Sequence, residues 1–550
     1  MSTYSSNHTR LIFVTGGVLS SLGKGVFSAS LAKLLQVQGL NVSLMKIDPY
    51  LNLDSGTISP FQHGEVFVTR DGAETDLDLG TYERFLEKSL SKRNHITAGA
   101  VFQSVIERER KGDYLGATVQ IIPHITDEIK RRILDHDHSL DVMIVEVGGT
   151  VGDIESQPFL EAIRQLRYEC PSSLCIHMTL VPYLDSSGEL KTKPTQHSVK
   201  ELRSIGLNPD LIVCRSMRLM SNDERQKIAL FSNLPHECIF ESPSVSSIYE
   251  LPIFLEKQGI LDVLSKKFGF AIPTPAIYAS ELQTFLERMK NPHHEIKIGV
   301  VGKYTTLTDA YKSITESLLH AATRLHAKAQ VTFIDSEELE QHPENIGQIL
   351  SQYDGILVAG GFGSRGVEGK IATAQWCRLN HMPYFGICLG MQIAVIEYCR
   401  HVLHYADATS AEFNPSSPHK IFMLMTEWID MNQQQHQRNE NTWKGGTMRL
   451  GHYPCTLTPG SKAHAAYQAE HILERHRHRY EMNPIYSAEL HARGCLVVGR
   501  GTYDLVEVIE LQDHPWFIGV QYHPEFESSP AKPHPLFVGF IDAALKKNQA

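Results

Sequence analysis

Few folds can accommodate residues 11 to 47. LIFVT, residues 11–15, is a short continuous apolar run of the kind that forms a fully buried strand. It leads into the glycine loop GGVLSSLGKG, then into VFSASLAKLLQVQ with apolar residues at helical spacing, then Gly39 as a helix stop, and then a second strand-like run, NVSLMKI. Strand, loop, helix and strand in so short a space make a βαβ unit, which requires parallel strands with a helix laid over them. Further strand-like runs, DVMIVEV (141–147) and DLIVC (210–214), alternate with helical segments such as EAIRQLRYE. The expectation is an α/β domain built on a parallel sheet.

At 550 residues the chain is too long for a single core, since domains usually hold about 100 to 200 residues. The alternation of the first half is interrupted at AIPTPAIYAS by two prolines, and a short helical stretch ends at NPHHE. IKIGVVGKY then begins a second series, in which VTFID, DGILVAGGFGSRG and PYFGICLGMQ each supply a strand and a turn. The spacing predicts a first domain over 1–270, a linker over 271–294 and a second α/β domain over 295–550, with no repeat relating the two. MNQQQHQRNENT, residues 431–442, reads as a solvated insertion.

Composition narrows the class of protein. With 42% hydrophobic and 21% charged residues and a formal charge of -10, the chain lacks the basic field of a nucleic-acid binder. MSTYSSNHTR has no secretory n- and h-region, and no apolar run reaches 18 residues, so neither export nor a membrane span is expected and the address is cytoplasmic. Nine scattered cysteines suit a reducing compartment and form no zinc-like pattern.

The glycine loop departs from the phosphate-binding pattern G-x-x-x-x-G-K-[ST]. Five residues separate Gly17 from Gly23, and Gly25 stands where the hydroxyl that holds magnesium belongs. Its position between a strand and a helix still aims backbone N–H groups and Lys24 at a polyphosphate. The metal then needs another anchor. DGAETDLDLG offers Asp76 and Asp78, and EVGGTVGDIE offers Glu146 at the end of an apolar strand, where a carboxylate is costly unless paired or on a metal. KTKPTQHSVKEL, with Lys191 and Lys193 in a basic loop ahead of a helix, suits a second polyphosphate; the proline after Lys193 reads against simple continuation of the helix.

The second half carries a nucleophile. In PYFGICLGMQ, Gly386, Cys388 and Gly390 form G-x-C-x-G, the thiol version of the strand-to-helix nucleophile elbow. A thiol there needs a base, and QYHPEF supplies His523 with Glu525 to orient it, the two alternating on a strand-like stretch. The backbone N–H groups of Gly361 and Leu389 are candidates for an oxyanion hole. In ERHRHRY, His476 and His478 have no third ligand nearby, so Arg479 is read as a carboxylate clamp and no zinc is invoked.

In family order, GGVLSSLGKG, MKIDPYLN, DGAETDLDLG, GDYLGATVQIIPHIT, EVGGTVGDIESQPFLEA, KTKPTQHSVKEL, GICLGMQ, GGTMRLG, RHRHRYE and QYHPEF resemble the CTP synthase family over nearly the whole chain. That resemblance implies an N-terminal P-loop-type amidoligase domain on a parallel sheet, fused to a C-terminal α/β class I glutamine amidotransferase domain. It implies ATP contacts at Ser21, Leu22, Gly23, Lys24, Gly25, Val26 and Asp78, with Lys46 meeting phosphates and Mg2+ held by Asp78 and Glu146. It implies UTP or CTP contacts at Ser20, Asp153, Ile154, Glu155, Lys191, Thr192, Lys193, Pro194, Thr195, Gln196 and Lys227. In the second domain it implies catalysis by Cys388, His523 and Glu525, and glutamine contacts at Gly361, Leu389, Gly390, Met391, Gln392, Glu412 and Arg479. The implied reaction is phosphorylation of UTP at O4 by ATP and displacement of that phosphate by ammonia from glutamine, with GTP activation, CTP feedback inhibition and a homotetramer.

Two other readings use part of the same chemistry. A glutamine-dependent amidoligase with another acceptor, of the cobyrinate-amidating kind, shares the loop and the thiol; KTKPTQHSVKEL favours UTP. A ParA-like ATPase switch accounts for the first half alone and leaves Cys388, His523 and Glu525 unused.

Overall fold

The structure, a computed structural model, describes residues 9–137, 139–269, 278–305, 307–424, 427–429, 435–437 and 448–549. By packing, the chain divides into two units: Met1–Ser55 with Asp78–Leu286, and Gly56–Leu77 with Glu287–Ala550.

The first unit is built on seven strands: β1 (Arg10–Gly16), β2 (Val42–Asp48), β3 (His95–Thr97), β4 (Val142–Val147), β5 (Ser173–Leu180), β6 (Leu211–Ser216) and β7 (Ile239–Pro243). They lie in the order β7-β6-β5-β1-β4-β2-β3, every pairing parallel. A parallel sheet is covered on both faces, which is why its strands read as near-continuous apolar runs rather than alternating ones. Leu11, Phe13, Met45, Val145 and Phe159 form one side of that core and are all buried. Helix α1 (Lys24–Val37) follows β1, and Gly39 just beyond it takes φ 85°, the left-handed turn a helix exit favours. Helix α2 (Leu77–Leu86) brings in Asp78, and α3 (Lys193–Ser204) follows β5. The basic segment is therefore less of a loop than its sequence suggests. Lys193 already opens α3, because a proline in the first helical turn gives up no needed hydrogen bond.

The main sheet of the second unit has nine strands: β8 (His294–Gly302), β9 (Ala327–Asp335), β10 (Gly355–Val358), β11 (Tyr384–Ile387), β12 (Arg449–Leu457), β13 (His471–His478), β14 (Cys495–Gly501), β15 (Val506–Leu511) and β16 (Phe517–Val520). The order is β9-β8-β10-β11-β16-β15-β14-β12-β13, parallel as far as β16 and antiparallel beyond it. Two buried cores flank this sheet, one around Val358, Met391 and Phe517 and the other around Ile387, Ile518 and Phe540.

The predicted linker meets the helix α4 (Tyr278–Lys290), while 270–277 lie outside the described residues. Of the predicted insertion, Gln435–Gln437 forms a strand against Glu427–Ile429; 431–434 and 438–442 lie outside the described residues. Residues 56–77, placed by sequence in the first domain, pack with the second unit. Glu65 accepts from the Ser313 N–H at 3.0 Å, Arg475 donates to the Val68 carbonyl at 2.9 Å, and Phe67 meets Phe526 edge-on. Among the described residues no helix is long and apolar enough to cross a membrane.

Candidate functional site

In the first unit the glycine loop runs from the end of β1 to α1. It is anchored on both sides: the Gly17 N–H donates to the Met178 carbonyl at 3.0 Å, and the Val151 N–H donates to the Gly16 carbonyl at 2.8 Å. Gly23, in the left-handed region at φ 86°, precedes a helix whose first turn no side chain caps. The first N–H groups of α1 are thus left for an anion. Ser20 and Ser21 are exposed, Leu22 is buried, and Gly23 and Val26 are half-buried.

Lys24 is buried, and its Nζ donates to the Gly149 carbonyl at 2.8 Å. Burial draws its ammonium below the ordinary lysine range, against the pull of the Glu146, Asp78 and Asp48 carboxylates. Gly25 now has a physical reason. A Cβ there would lie 2.0 Å from Asp78 Oδ1, so the space that a Ser or Thr would fill holds a carboxylate from α2. Lys46, from β2, is bonded to Asp78 and stands 3.9 Å from Glu146. Glu146 is buried at the end of β4 and accepts from the Tyr82 hydroxyl at 2.5 Å. The two carboxylates thus flank one cation. Asp76, the other sequence candidate, pairs instead with His63 at 3.0 Å within the second unit.

These residues fit magnesium, which takes one or two carboxylates and completes its shell with phosphate oxygens and water. Among the described residues no cluster of three or more His, Cys, Asp or Glu could hold a metal without such help.

The other predicted nucleotide residues are engaged to different degrees. Asp153 accepts from the Thr150 N–H at 2.7 Å and hydroxyl at 2.6 Å; Ile154 and Glu155 beside it are exposed. Lys191 bonds to Glu189, whose carboxyl is held low by that bond and by the charges of Lys191 and Lys227, so both lysines act on one spot. At the start of α3, Gln196 donates to the Thr192 hydroxyl at 3.1 Å, and the buried Thr195 hydroxyl donates to the Leu180 carbonyl at 3.1 Å. Lys193 is exposed and Pro194 half-buried.

In the second unit Cys388 joins β11 to helix α6 (Leu389–His401) with φ 52° and ψ -104°, a conformation that L-residues avoid and that nucleophile elbows adopt. Small neighbours make the turn possible: a Cβ on Gly390 would sit 2.1 Å from the Val358 carbonyl oxygen, and one on Gly386 2.7 Å from Gly390. Gly390 and Met391 are buried in the first turn of α6.

The predicted alternation of His523 and Glu525 on a strand is not what forms. β16 ends at Val520, and Glu525 lies in a short 3-10 turn, Pro524–Glu527. The turn nonetheless brings them together, with His523 Nδ1 2.7 Å from Glu525 Oε1. His523 Nε2 is buried and has no hydrogen-bond partner among the described residues. Gly360 adjoins both the ring and the cysteine: a Cβ there would be 3.2 Å from His523 Cε1 and 3.6 Å from Cys388 Cβ. Burial opposes the charged imidazole, but the negative charges of Glu525 and Cys388 push its pKa up to about 10. The ring therefore favours its protonated form beside Glu525.

Of the other residues in the predicted glutamine site, Gln392 is linked to the thiol through Gln521. A Cβ on Gly361 would be 3.7 Å from the Leu389 side chain. Gln392 donates to the Gln521 side chain at 3.2 Å, and Gln521 in turn points at Cys388 Sγ at 3.7 Å. Glu412 accepts from the Gly363 N–H at 2.7 Å, and Arg479 lies over the Phe362 ring, 5.7 Å from its centroid.

Three residues escaped the sequence reading. Lys303 donates to the Phe362 carbonyl at 2.8 Å and to that of Gly363, and burial lowers it to about 8. Lys370, on helix α5 (Val367–Leu379), is fully buried with its Nζ on the Ala359 carbonyl at 3.0 Å; burial, helped by Lys303, lowers it to about 7. Arg477 pairs with Glu74 at 2.9 Å, and its carbonyl accepts from Cys388 Sγ at 3.9 Å. No local sequence signal marks either lysine as buried, and none links Glu74 to residue 477. His476 and His478 bond each other at 2.8 Å inside a buried group with Arg449, Glu481 and Glu507, a structural network rather than a metal tract.

The chain matches a family model described as CTP synthase N-terminus over residues 10–270 and one described as glutamine amidotransferase class-I over residues 306–543. Among solved structures it is similar to the glutaminase domain of Trypanosoma brucei CTPS with bound acivicin, at 37% identity over 46% of this chain and 94% of that one, with a TM-score of 0.41. It is also similar to a glutamine amidotransferase from Thermotoga maritima, at 12% identity over 47% of this chain and 86% of that one, TM-score 0.26. A glutamine amidotransferase from Methylobacillus flagellatus matches at 13% identity over 43% of this chain and 70% of that one, TM-score 0.25.

Proposed function

The chain belongs to the CTP synthase family as a glutamine-hydrolysing ligase, and from that premise we propose how its residues divide the work of aminating UTP with ATP and glutamine. The observation that carries the nucleotide half is the carboxylate of Asp78 in the space beside Gly25, within reach of Lys46 and with Lys24 and Glu146 close by. Lys24, Lys46 and the open start of α1 bind the ATP phosphates. Asp78 and Glu146 hold Mg2+, which when bound supplies charge neutralisation for the transferring phosphoryl group. Lys191, Lys227 and the start of α3 take the triphosphate of UTP, and Asp153 to Glu155 complete that pocket with Ser20. Transfer of the γ-phosphoryl group to O4 of UTP converts a poor leaving group into phosphate, which ammonia then displaces at C4.

In the second unit the Cys388 thiolate attacks the side-chain amide carbon of glutamine. The C–N bond breaks, a C–S bond forms, and the proton on His523 goes to the departing ammonia. Glu525 holds the imidazole by its other nitrogen. The N–H groups of Gly361 and Leu389 face the developing oxyanion, and Arg479 with Glu412 grips the α-carboxylate and α-amino groups of glutamine. Water then cleaves the glutamyl thioester. Activation by GTP, feedback inhibition by CTP and a homotetramer belong to the same reading and rest on family membership. A cytoplasmic location suits nine free cysteines.

The deciding assay is CTP formation from UTP, ATP, Mg2+ and glutamine by the purified protein. CTP is the expected product; intact glutamine hydrolysis without CTP would mean a different acceptor. The metal assignment has its own test. Asp78→Asn and Glu146→Gln are each expected to raise the Mg2+ concentration for half-maximal, ammonia-driven synthesis by at least the roughly tenfold that loss of even an outer-shell partner costs. Calorimetric titration with Mg2+ and ATP should show the same loss of affinity. An unchanged magnesium dependence in both variants would remove these two residues as ligands.

A further inference from the structure

His177, in the middle of β5, is fully buried and takes no part in the chemistry above. It makes two side-chain hydrogen bonds. Its Nδ1 lies 2.9 Å from the Thr15 hydroxyl, one residue before the glycine loop, and its Nε2 lies 2.7 Å from the Ser198 hydroxyl on α3. Burial, with some help from the charge of Lys24, lowers the imidazole to about 3, so the ring is neutral. A neutral ring donates from one nitrogen and accepts at the other, so the three side chains form a directed chain in which a change at one end dictates the bond at the other.

A second, independent observation joins the same parts. A Cβ on Gly17 would lie 1.7 Å from Ser198 Oγ and 3.0 Å from His177 Nε2. The first turn of the glycine loop therefore rests directly on α3, with no room for a side chain between them. Helix α3 carries Lys193 to Gln196 in its opening turns, and Ser198 sits just beyond them on the buried face.

We infer that His177 is a positioning residue that couples the ATP loop to the UTP segment through the chain Thr15–His177–Ser198. The inference rests on the assignment of ATP to the glycine loop and UTP to residues 191–196. A triphosphate pulling on either element shifts one end of a buried chain whose bonds are costly to leave unmade. Occupancy of one nucleotide then sets the geometry that the other meets.

The test exploits the fact that each end lies beside a different nucleotide. Thr15→Val keeps shape and removes the hydroxyl at the loop end; Ser198→Ala removes it at the helix end. With ammonia as the nitrogen source, Thr15→Val is expected to raise the KM for UTP and Ser198→Ala the KM for ATP, each about fivefold, which corresponds to about 1 kcal/mol, one ordinary hydrogen bond. Thr15→Ser, which keeps the hydroxyl, should restore the UTP value. The double variant should be no worse than about fivefold, since both changes break one chain.

If each variant affects only the nucleotide on its own side, or if the double variant multiplies the two effects, the coupling is wrong and the residues act locally. Loss of thermal stability with unchanged KM values would likewise reduce His177 to a packing residue. Calorimetry on the unaltered protein separates the underlying assignment from the inference: failure to bind ATP and UTP at all would overturn both, whereas normal binding with no cross-effect overturns only the coupling.

Discussion

Cys388→Ala is expected to lose CTP synthesis from glutamine by several orders of magnitude, as removal of a nucleophile does, and to retain synthesis from added ammonium. The thiol sits on a strained elbow at φ 52°, beside the buried His523–Glu525 pair, and alanine offers no electron pair for the amide carbon. In the proposed division of labour, phosphorylation of UTP draws on Lys24, Lys46, Asp78 and Glu146 in the first unit and does not need that sulfur. Rescue should improve from about pH 7 toward about pH 9, because deprotonation of ammonium creates the nucleophile as pH rises. Retained synthesis from glutamine would eliminate the thioester route. Loss of both activities in a folded variant would mean that the chemistry is divided between the units in some other way.

Lys24→Ala should fail with either nitrogen source. Its Nζ is the buried cation closest in sequence to the open helix start, and it is held on the Gly149 carbonyl just beyond the strand that carries Glu146. Removing one preorganised stabilising group of this kind costs about 10^2- to 10^3-fold in turnover. Both routes to CTP need the phosphorylated intermediate, so ammonium cannot compensate. Measuring glutamine-driven and ammonia-driven synthesis side by side distinguishes this variant from Cys388→Ala; a normal rate with ammonium would show that ATP binds elsewhere. The same pair of measurements on a Lys24→Arg variant asks whether charge alone suffices, and the crowded space, where a Cβ on Gly16 would already lie 2.8 Å from the Lys24 side chain, argues that it does not.

How far these sites could be read in advance depended on sequence distance. The loop, its lysine and the elbow were legible because each is a contiguous pattern whose residues must be small, charged or nucleophilic in a set order. Glu146 was legible because a carboxylate inside an apolar strand demands a reason. The substitution of Asp78 for a hydroxyl at Gly25 could be guessed from the gap in the motif, but the fit, with one side chain filling the volume the other lacks, exists only after α2 docks. Lys370 and Lys303 were invisible for the opposite reason. Their chemistry lies in which carbonyls they reach, and a lone lysine in a helical or strand pattern reads as solvated until burial is known. The pairing of His523 with Glu525 was expected from a strand and found in a 3-10 turn: the i, i+2 spacing survived a wrong local geometry, because proline at 524 bends the backbone enough to bring both side chains to one side.

The excursion of residues 56–77 bears on how such a two-unit enzyme can be inherited. A recombination event that exchanged everything after the linker would separate Arg477 from Glu74, Arg475 from the Val68 carbonyl and Ser313 from Glu65, leaving a buried or half-buried group short of its partner each time. The second unit thus includes 22 residues encoded far upstream, between Ser55 and Asp78. The stretch from Glu74 to Asp78 sets a severe condition on descent. Within five codons it specifies the partner of Arg477 in the second unit and the carboxylate that fills the gap at Gly25 in the first, so a change in this stretch is felt in both units.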